Sequence, residues 1–289
     1  MTNQHTEANA FFNGQYVPID QVAISPFDRG FLLGDSIYEA VPAYNGTLLG
    51  AERHFQRLLD GLSGVGIASP YSLTDWHGIA APLIDPTQSS QLLYIHVTRG
   101  CEGQRKHRFP VAATPTVLIF TIPFALEIDL NYLGCTAHTM DDLRWQRCNL
   151  KSSSLMGNVM AYRELYQRGV PQDEALLVRH GKVVEAPSSN LFCVLNGVIY
   201  TPPVENILPG VTRALVIELA RAHGFELRET APSLAQLLSA DEVWVTNSME
   251  ELKPIVCIDG HTIGNAVPGP VWKALFSAFQ GLKNQEEQL

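Results

Sequence analysis

The sequence predicts an α+β fold from three observations. Hairpin signals are interleaved with helical periodicity, strict strand–helix alternation is missing, and no Gly-x-Gly-x-x-Gly or Walker motif marks a nucleotide-binding crossover. FFNGQYVPI sets an Asn-Gly turn between apolar flanks and predicts an opening hairpin. AERHFQRLLDGLSGVGI spaces Phe55, Leu58, Leu59 and Leu62 along one helical face. QLLYIHVTR and TPTVLIFTI read as strands joined by a long polar loop, 100–114, that carries Arg105, Lys106, His107 and Arg108. The pattern weakens over 125–133, so an N-terminal domain is expected at 1–128 and a C-terminal domain at 129–289. The second half opens with a strand around Cys135, followed by a helix over 155–168 that ends at Gly169. EALLVRHGKVVEA and NLFCVLNGVIYT predict consecutive hairpins turning at His180-Gly181 and Asn196-Gly197. A helix from PGVTRALVIELARAHG ends near Gly224; a shorter helix, the strand DEVWVTN and a last helix over 270–279 complete the chain.

Composition narrows the function. The 289 residues suit one large domain or two ordinary ones, and 46% apolar with 17% charged residues gives a globular core of enzyme type. A net charge of −9 argues against nucleic acid or an acidic membrane surface as partner. No apolar run approaches the roughly 18 residues a membrane span needs. MTNQHTEANAFF lacks a basic stretch followed by an apolar core and does not read as a secretion signal. Cys101, Cys135, Cys148, Cys193 and Cys257 are odd in number and scattered, so reduced thiols and a cytoplasmic location are expected. The histidines are scattered too, and no metal site is expected.

Four places could carry chemistry. Most lysines are solvated, but Lys151 lies between Leu150 and a run of small hydroxyl residues ahead of an apolar helix. A buried lysine there would have a lowered pKa and could form a Schiff base. Glu185 ends a strand before Pro187; it is either a solvated strand-end carboxylate or the partner of a cationic ring nitrogen. Val211 and Thr212 fall at a helix start, where free N–H groups bind anions, although Thr212 could equally cap the helix. Thr246-Asn247-Ser248 is a second such candidate, or an ordinary polar loop. Arg105 and His107 are either solvated or a clamp for a carboxylate.

These signals share one colinear order over almost the whole chain. DRGFLLGDSIYEAV (28–41), HFQRLL (54–59), VTRGCEGQRKHRFP (97–110), DLRWQRCNLKSSSL (142–155), VVEAPSSNLF (183–192), PGVTR (209–213) and VTNSMEELKPI (245–255) resemble the class IV aminotransferases, the fold-type IV pyridoxal-phosphate enzymes. The likeness comes nearest to the bacterial D-amino acid transaminases, through the Arg-x-His loop and the RWQRC-x-x-K segment. It implies a smaller α/β N-terminal domain and a larger β-rich C-terminal domain. It also implies pyridoxal 5'-phosphate and ping-pong transamination between a D-amino acid, of D-alanine or D-glutamate type, and a 2-oxo acid such as 2-oxoglutarate.

The resemblance further assigns roles. Lys151 matches the Schiff-base lysine, which also shuttles the substrate proton, and Glu185 matches the partner of the pyridine nitrogen. Arg57, Val211, Thr212 and Ser248 match the phosphate-holding positions, with Asn247 in the same loop. Ser188, Ser189 and Asn190 match the turn beside the cofactor. Tyr38, Arg105 and His107 match the substrate-carboxylate trap, whose Arg-x-His loop comes from the neighbouring subunit of a homodimer. Ser36 stands where glycine is frequent, Pro187 where small residues are common, and Asn247 where a small hydroxyl residue is usual. These departures bear on pocket shape. Branched-chain L-amino acid aminotransferases, R-selective amine transaminases and aminodeoxychorismate lyases share the fold; the Arg105/His107 pair disfavours all three. A binding protein that had lost the chemistry would lack Lys151 or Glu185, and both are present.

Overall fold

The computed structural model describes residues 9–110 and 112–286. Within it the chain forms two compact units. The first runs through Ala125 and takes back Leu150–Ser154; the second comprises Leu126–Asn149 and the chain from Leu155 onward.

In the first unit the Asn13-Gly14 turn joins β1 (Ala10–Phe12) to β2 (Gln15–Val17), with φ of 47° and 93°. That is the left-handed pair a tight hairpin demands. A short helix α1 (Arg29–Leu33) leads into β3 (Ser36–Tyr44), β4 (Thr47–Leu48), α2 (Ala51–Gly64) and α3 (Leu73–Ala80). β5 (Ser90–Thr98) and β6 (Thr116–Pro123) complete an antiparallel sheet in the order β2-β1-β6-β5-β3-β4. The helical spacing read from the sequence holds. Phe55, Leu58 and Leu62 of α2 are fully buried and join Ile37, Val41, Leu93, Ile95 and Leu150 in one core. Each such burial stabilises the fold by about 1.5–3 kcal/mol. Strand alternation puts Glu39 on the same side of β3 as Ile37 and Val41, which carries its carboxylate into that core.

The second unit contains β7 (Cys135–Asp141), α4 (Met156–Gln167), β8 (Glu174–Arg179), β9 (Lys182–Glu185), β10 (Asn190–Leu195) and β11 (Val198–Thr201). α5 (Val211–Ala222), β12 (Leu227–Glu229), α6 (Leu234–Leu238), β13 (Glu242–Asn247), β14 (Glu251–Ile258), β15 (His261–Thr262) and α7 (Pro270–Glu286) follow. The expected hairpins are β8–β9 and β10–β11, turning at the expected residues with positive φ. The sheet order is β12-β11-β10-β13-β14-β7-β8-β9, and β9 pairs back onto β10. The sheet therefore closes into a barrel, and the closing pair is Glu185 with Asn190. Inside lie Ala137, Leu176, Val183, Leu191, Cys193, Val243, Val245 and Ile255. Helix α7 outruns the expected 270–279 because Lys283 reaches Glu251 in a buried 2.6 Å ion pair beyond the apolar stripe. Among the described residues no helix is long and apolar enough to cross a membrane, and no group of His, Cys, Asp and Glu could hold a metal ion.

The start of α7 depends on one side chain. Glu242 accepts hydrogen bonds from the N–H groups of Val271 (2.9 Å) and Trp272 (2.7 Å). Replacing Glu242 with alanine orphans two first-turn donors, so urea unfolding should show a loss of about 1–3 kcal/mol at unchanged m-value. A midpoint equal to that of the parent would rule out this capping role.

Candidate active site

The first unit assembles one half of the expected chemistry. Leu150 is buried in the core, the Lys151 carbonyl accepts from Tyr38 N–H (2.9 Å), and Ser152 bridges Ile37. The Ser153 hydroxyl bonds that of Ser36, which also meets His96 Nε2 at 2.8 Å. This pins the Lys151 backbone and leaves its Nζ 4.3 Å from the centre of the Tyr38 ring, a cation–π distance. Among the described residues Nζ has no hydrogen bond or ion pair. Tyr38 itself stacks on Tyr94 at 5.7 Å.

Arg57 projects from α2 onto the buried Glu39, with Nε 2.8 Å from Oε2 and Nη2 2.6 Å from Oε1. His54 Nδ1 lies 3.1 Å from the same Oε1. Burial opposes ionisation of Glu39, but the Arg57 guanidinium and His54 outweigh it and hold the carboxyl well below the usual range. Burial lowers the His54 pKa further than Glu39 raises it, so at neutral pH His54 is an uncharged partner and Arg57 carries the compensating charge. The stability Glu39 contributes is present above the ordinary carboxylate range and is lost as pH falls below it. Arg105 and His107 are exposed, and among the described residues neither side chain makes a hydrogen bond or ion pair.

The second unit assembles the other half around Glu185, which is 2% exposed. Its Oε2 accepts from Asn190 Nδ2 (3.1 Å) and from Leu208 N–H (3.2 Å). Its Oε1 lies 2.9 Å from Arg144 Nη1 but accepts no well-aligned hydrogen bond. Burial pushes the carboxyl up to about 7, against the pull of Arg144. Asn190 also donates to the Leu208 carbonyl, and a Cβ on Gly210 would collide with its Oδ1. The same asparagine thus ties the barrel seam to the start of α5.

Gly210 is the N-cap of α5, and no side chain caps the helix. The capping alternative for Thr212 is therefore overturned: Thr212 lies inside the first turn, buried together with Val211. Thr246, opposite Asn190 in the β10–β13 pairing, buries a hydroxyl that has no partner among the described residues.

Ser188, Ser189 and Asn247 are joined in one network. Tyr162 Oη meets Ser188 Oγ at 2.6 Å, and Asn247 Nδ2 donates to Ser189 Oγ (2.9 Å) and to Glu250 (2.8 Å). Asn247 Oδ1 accepts from the N–H groups of Met249 and Glu250. The Asn247 side chain is therefore committed to building its loop, with Ser248 half-buried beside it. Sequence reasoning missed Glu39, Arg144 and Asp142. Arg144 bridges Glu185 and Asp142, donating Nε to Asp142 Oδ1 at 2.9 Å. The local sign was the Asp-x-Arg spacing, in which Arg144 N–H turns back onto the same oxygen.

An acidic seam with an oxygen short of a donor can receive a protonated ring nitrogen. An uncapped, buried helix start can receive a phosphate. The chain belongs to the class IV aminotransferases: a family model described as amino-transferase class IV matches residues 36–258. It is 37% identical over 271 residues to a D-alanine aminotransferase of Bacillus licheniformis, covering 93% of this chain and 95% of that protein. It is 33% identical over 273 residues to a D-alanine aminotransferase of Staphylococcus aureus (strain MSSA476), covering 93% and 96%. Among solved structures, the branched-chain amino acid aminotransferase from Escherichia coli aligns with TM-score 0.86 at 24% identity, over 97% and 95% of the two chains. The branched-chain aminotransferase of the archaeon Thermoproteus uzoniensis, solved with norvaline, aligns at 0.85 and 24%, over 98% and 97%. These structures share the two-part α+β fold.

The Glu185 environment has a pH consequence. Because burial raises this carboxyl, its contribution is complete below the ordinary carboxylate range and is lost as pH rises through about 7. Without cofactor, the unfolding free energy of the native protein should therefore fall relative to Glu185→Gln between about pH 5 and about pH 7, and level off above. Denaturant titrations giving a constant difference across that range would contradict the raised carboxyl.

Proposed function

We propose that this chain is a pyridoxal 5'-phosphate-dependent D-amino acid aminotransferase that passes the amino group to a 2-oxo acid such as 2-oxoglutarate. The cofactor assignment rests on the buried Glu185 carboxyl, one oxygen of which lacks an aligned donor. The preference for D-amino acids rests on the likeness to D-alanine aminotransferases at 37% and 33% identity. The two solved branched-chain neighbours, both under 25% identical, speak for the fold alone.

Bound pyridoxal phosphate supplies an electron sink that acidifies the substrate Cα–H. Lys151 Nζ would hold the cofactor aldehyde carbon and, once the substrate amine displaces it, take the Cα proton and return it. The Tyr38 ring under Nζ gives the amine a fixed approach. Glu185 would hold the ring nitrogen in its protonated form, which its anionic charge favours. Val211 and Thr212 N–H groups, Ser248 and Arg57 would hold the phosphate, with Asn247, Ser188, Ser189 and Asn190 shaping the turns beside the ring. Arg105, His107 and Tyr38 would receive the substrate carboxylate. Since one base serves one face of Cα, the side that the carboxylate takes selects the enantiomer.

The reading includes a homodimer, in which the Arg-x-His loop serves the neighbouring subunit. Five free cysteines support a reducing, cytoplasmic setting.

Borohydride reduction of the holoenzyme should fix the cofactor on the peptide carrying Lys151. Lys151→Ala should fall below about a thousandth of parental turnover of D-alanine with 2-oxoglutarate. Label on another peptide, or L-alanine preferred over D-alanine, would refute the assignment. Arg105→Ala should raise KM for carboxylate substrates about tenfold while kcat changes little. Steady-state kinetics with an unchanged KM would remove Arg105 from the carboxylate trap.

A further inference from the structure

We propose that Arg29, Asp35 and Arg99 are positioning residues that set the conformation of the Arg105–His107 loop for recognition of the substrate carboxylate. The proposal rests on the aminotransferase reading and deepens it. Asp35 Oδ2 accepts from Arg29 Nε at 2.7 Å and from Arg99 Nε at 2.8 Å, and Oδ1 accepts from Arg99 Nη2 at 2.9 Å. Both guanidiniums are buried.

Arg29 then reaches the loop. Its Nη1 donates to the carbonyls of Lys106 (2.6 Å) and Arg108 (3.2 Å), one on each side of His107. Its own N–H donates to the Gly100 carbonyl at 2.9 Å, where the loop begins. Arg99 fixes the other side. It donates to the carbonyls of Gly66 (2.7 Å) and Val65 (2.8 Å) and lies 4.1 Å from the centre of the Phe109 ring. Gly100 has φ of 92°, and a Cβ there would run into the Thr114 carbonyl, so the base of the loop is tight as well.

Burying two guanidiniums is costly, and one carboxylate does not saturate their donors. Arg29 Nη1 and the two Arg99 Nη atoms go on to backbone carbonyls, and two of those carbonyls belong to a surface loop. The side chains at the crest are left exposed, with no hydrogen bond or ion pair among the described residues. A loop gripped by its backbone while Arg105 and His107 stay unengaged is arranged to present them. Burial opposes ionisation of Asp35, but Arg99 and Arg29 prevail and lower its pKa, so the anchor stays charged through the neutral range.

The test uses the holoenzyme with Arg29→Lys, since an ammonium lacks the planar fork needed to serve Asp35 and both carbonyls. KM for D-alanine and for 2-oxoglutarate should rise about tenfold, with kcat within about twofold. Discrimination of D-alanine over D-alaninamide should fall by a similar factor, because the amide offers no carboxylate. Hydrogen exchange of the 102–109 amides should quicken in the variant. Phe109→Ala, at a residue 69% exposed and hence safe for folding, should move KM the same way by about two- to threefold. A cofactor-loaded Arg29→Lys with parental KM and parental discrimination would overturn the proposal, as would a loss confined to kcat. Should Arg29→Lys not fold, an unchanged KM in Phe109→Ala would overturn it alone. A native enzyme unable to transaminate D-alanine would instead sink the underlying reading.

Discussion

Keeping the Glu185 carboxyl in an apolar barrel seam is the requirement to which the polar architecture of the second unit answers. A bare carboxylate taken out of water costs several kcal/mol even after the protein relaxes. Leu208 N–H and Asn190 serve one oxygen, and Arg144 stands beside the other. Arg144 is itself buried and needs Asp142, and Asp142 is shared with Arg179 at 2.6 Å. Charges thus alternate from Glu185 outward. Asp142 repels Glu185 and draws on the same guanidinium, so Arg144 compensates only part of the burial penalty. The seam is left with an unfilled preference for positive charge, and a protonated ring nitrogen has the charge and the donor to meet it.

The first unit answers similar demands with the same residue type. Glu39 beneath α2 is neutralised by a bidentate Arg57, and Asp35 by Arg29 and Arg99. Lysine could supply the charge in each place. Only arginine, with five donors in a rigid plane, can satisfy a carboxylate and still reach backbone carbonyls in a second direction. Arg29 and Arg99 both do so, and this turns local charge compensation into control over loops distant in sequence. Position 57 differs: Glu39 takes two of its donors, so a role toward phosphate has to be played from an already fixed guanidinium, with little ordering entropy left to lose.

What the sequence discloses follows from the range of the forces involved. The Asn13-Gly14, His180-Gly181 and Asn196-Gly197 hairpins were legible because their turn chemistry sits within two residues. α2 was legible because its apolar face repeats every turn. Asn45-Gly46 and Asp259-Gly260 use the same turn geometry, yet their partners β4 and β15 are two residues long and show no alternation. The positions of Lys151, Glu185 and the α5 start could be named, but not what surrounds them. The Arg144–Glu185 pair spans 41 residues, and the Arg29 bond to Lys106 spans 77. Nothing in the neighbourhood of an arginine announces so distant a partner. Asn247 shows the opposite limit: as a departure from the usual hydroxyl it invited a reading about pocket shape, and what the sequence did not disclose is that its side chain holds Met249, Glu250 and Ser189.

Lys151 gathers these constraints at one residue. A nucleophilic lysine needs a backbone that does not move and a terminal amine that nothing inside the protein holds. Leu150 is fixed by burial in the first core, the Lys151 carbonyl by Tyr38 N–H, and Ser152 and Ser153 by Ile37 and Ser36. The hydroxyl run after Lys151 therefore ties this segment to β3, by a backbone bridge at Ser152 and a side-chain bond at Ser153. Against this fixed backbone, Nζ rests on the face of Tyr38 instead of on a carboxylate. A carboxylate partner would stabilise the ammonium and raise its pKa, making the lysine a poorer nucleophile; an aromatic face orients the amine at a fraction of that cost. Glu39, the nearest carboxylate along β3, is kept from that role because strand alternation turns it under α2, where Arg57 claims it.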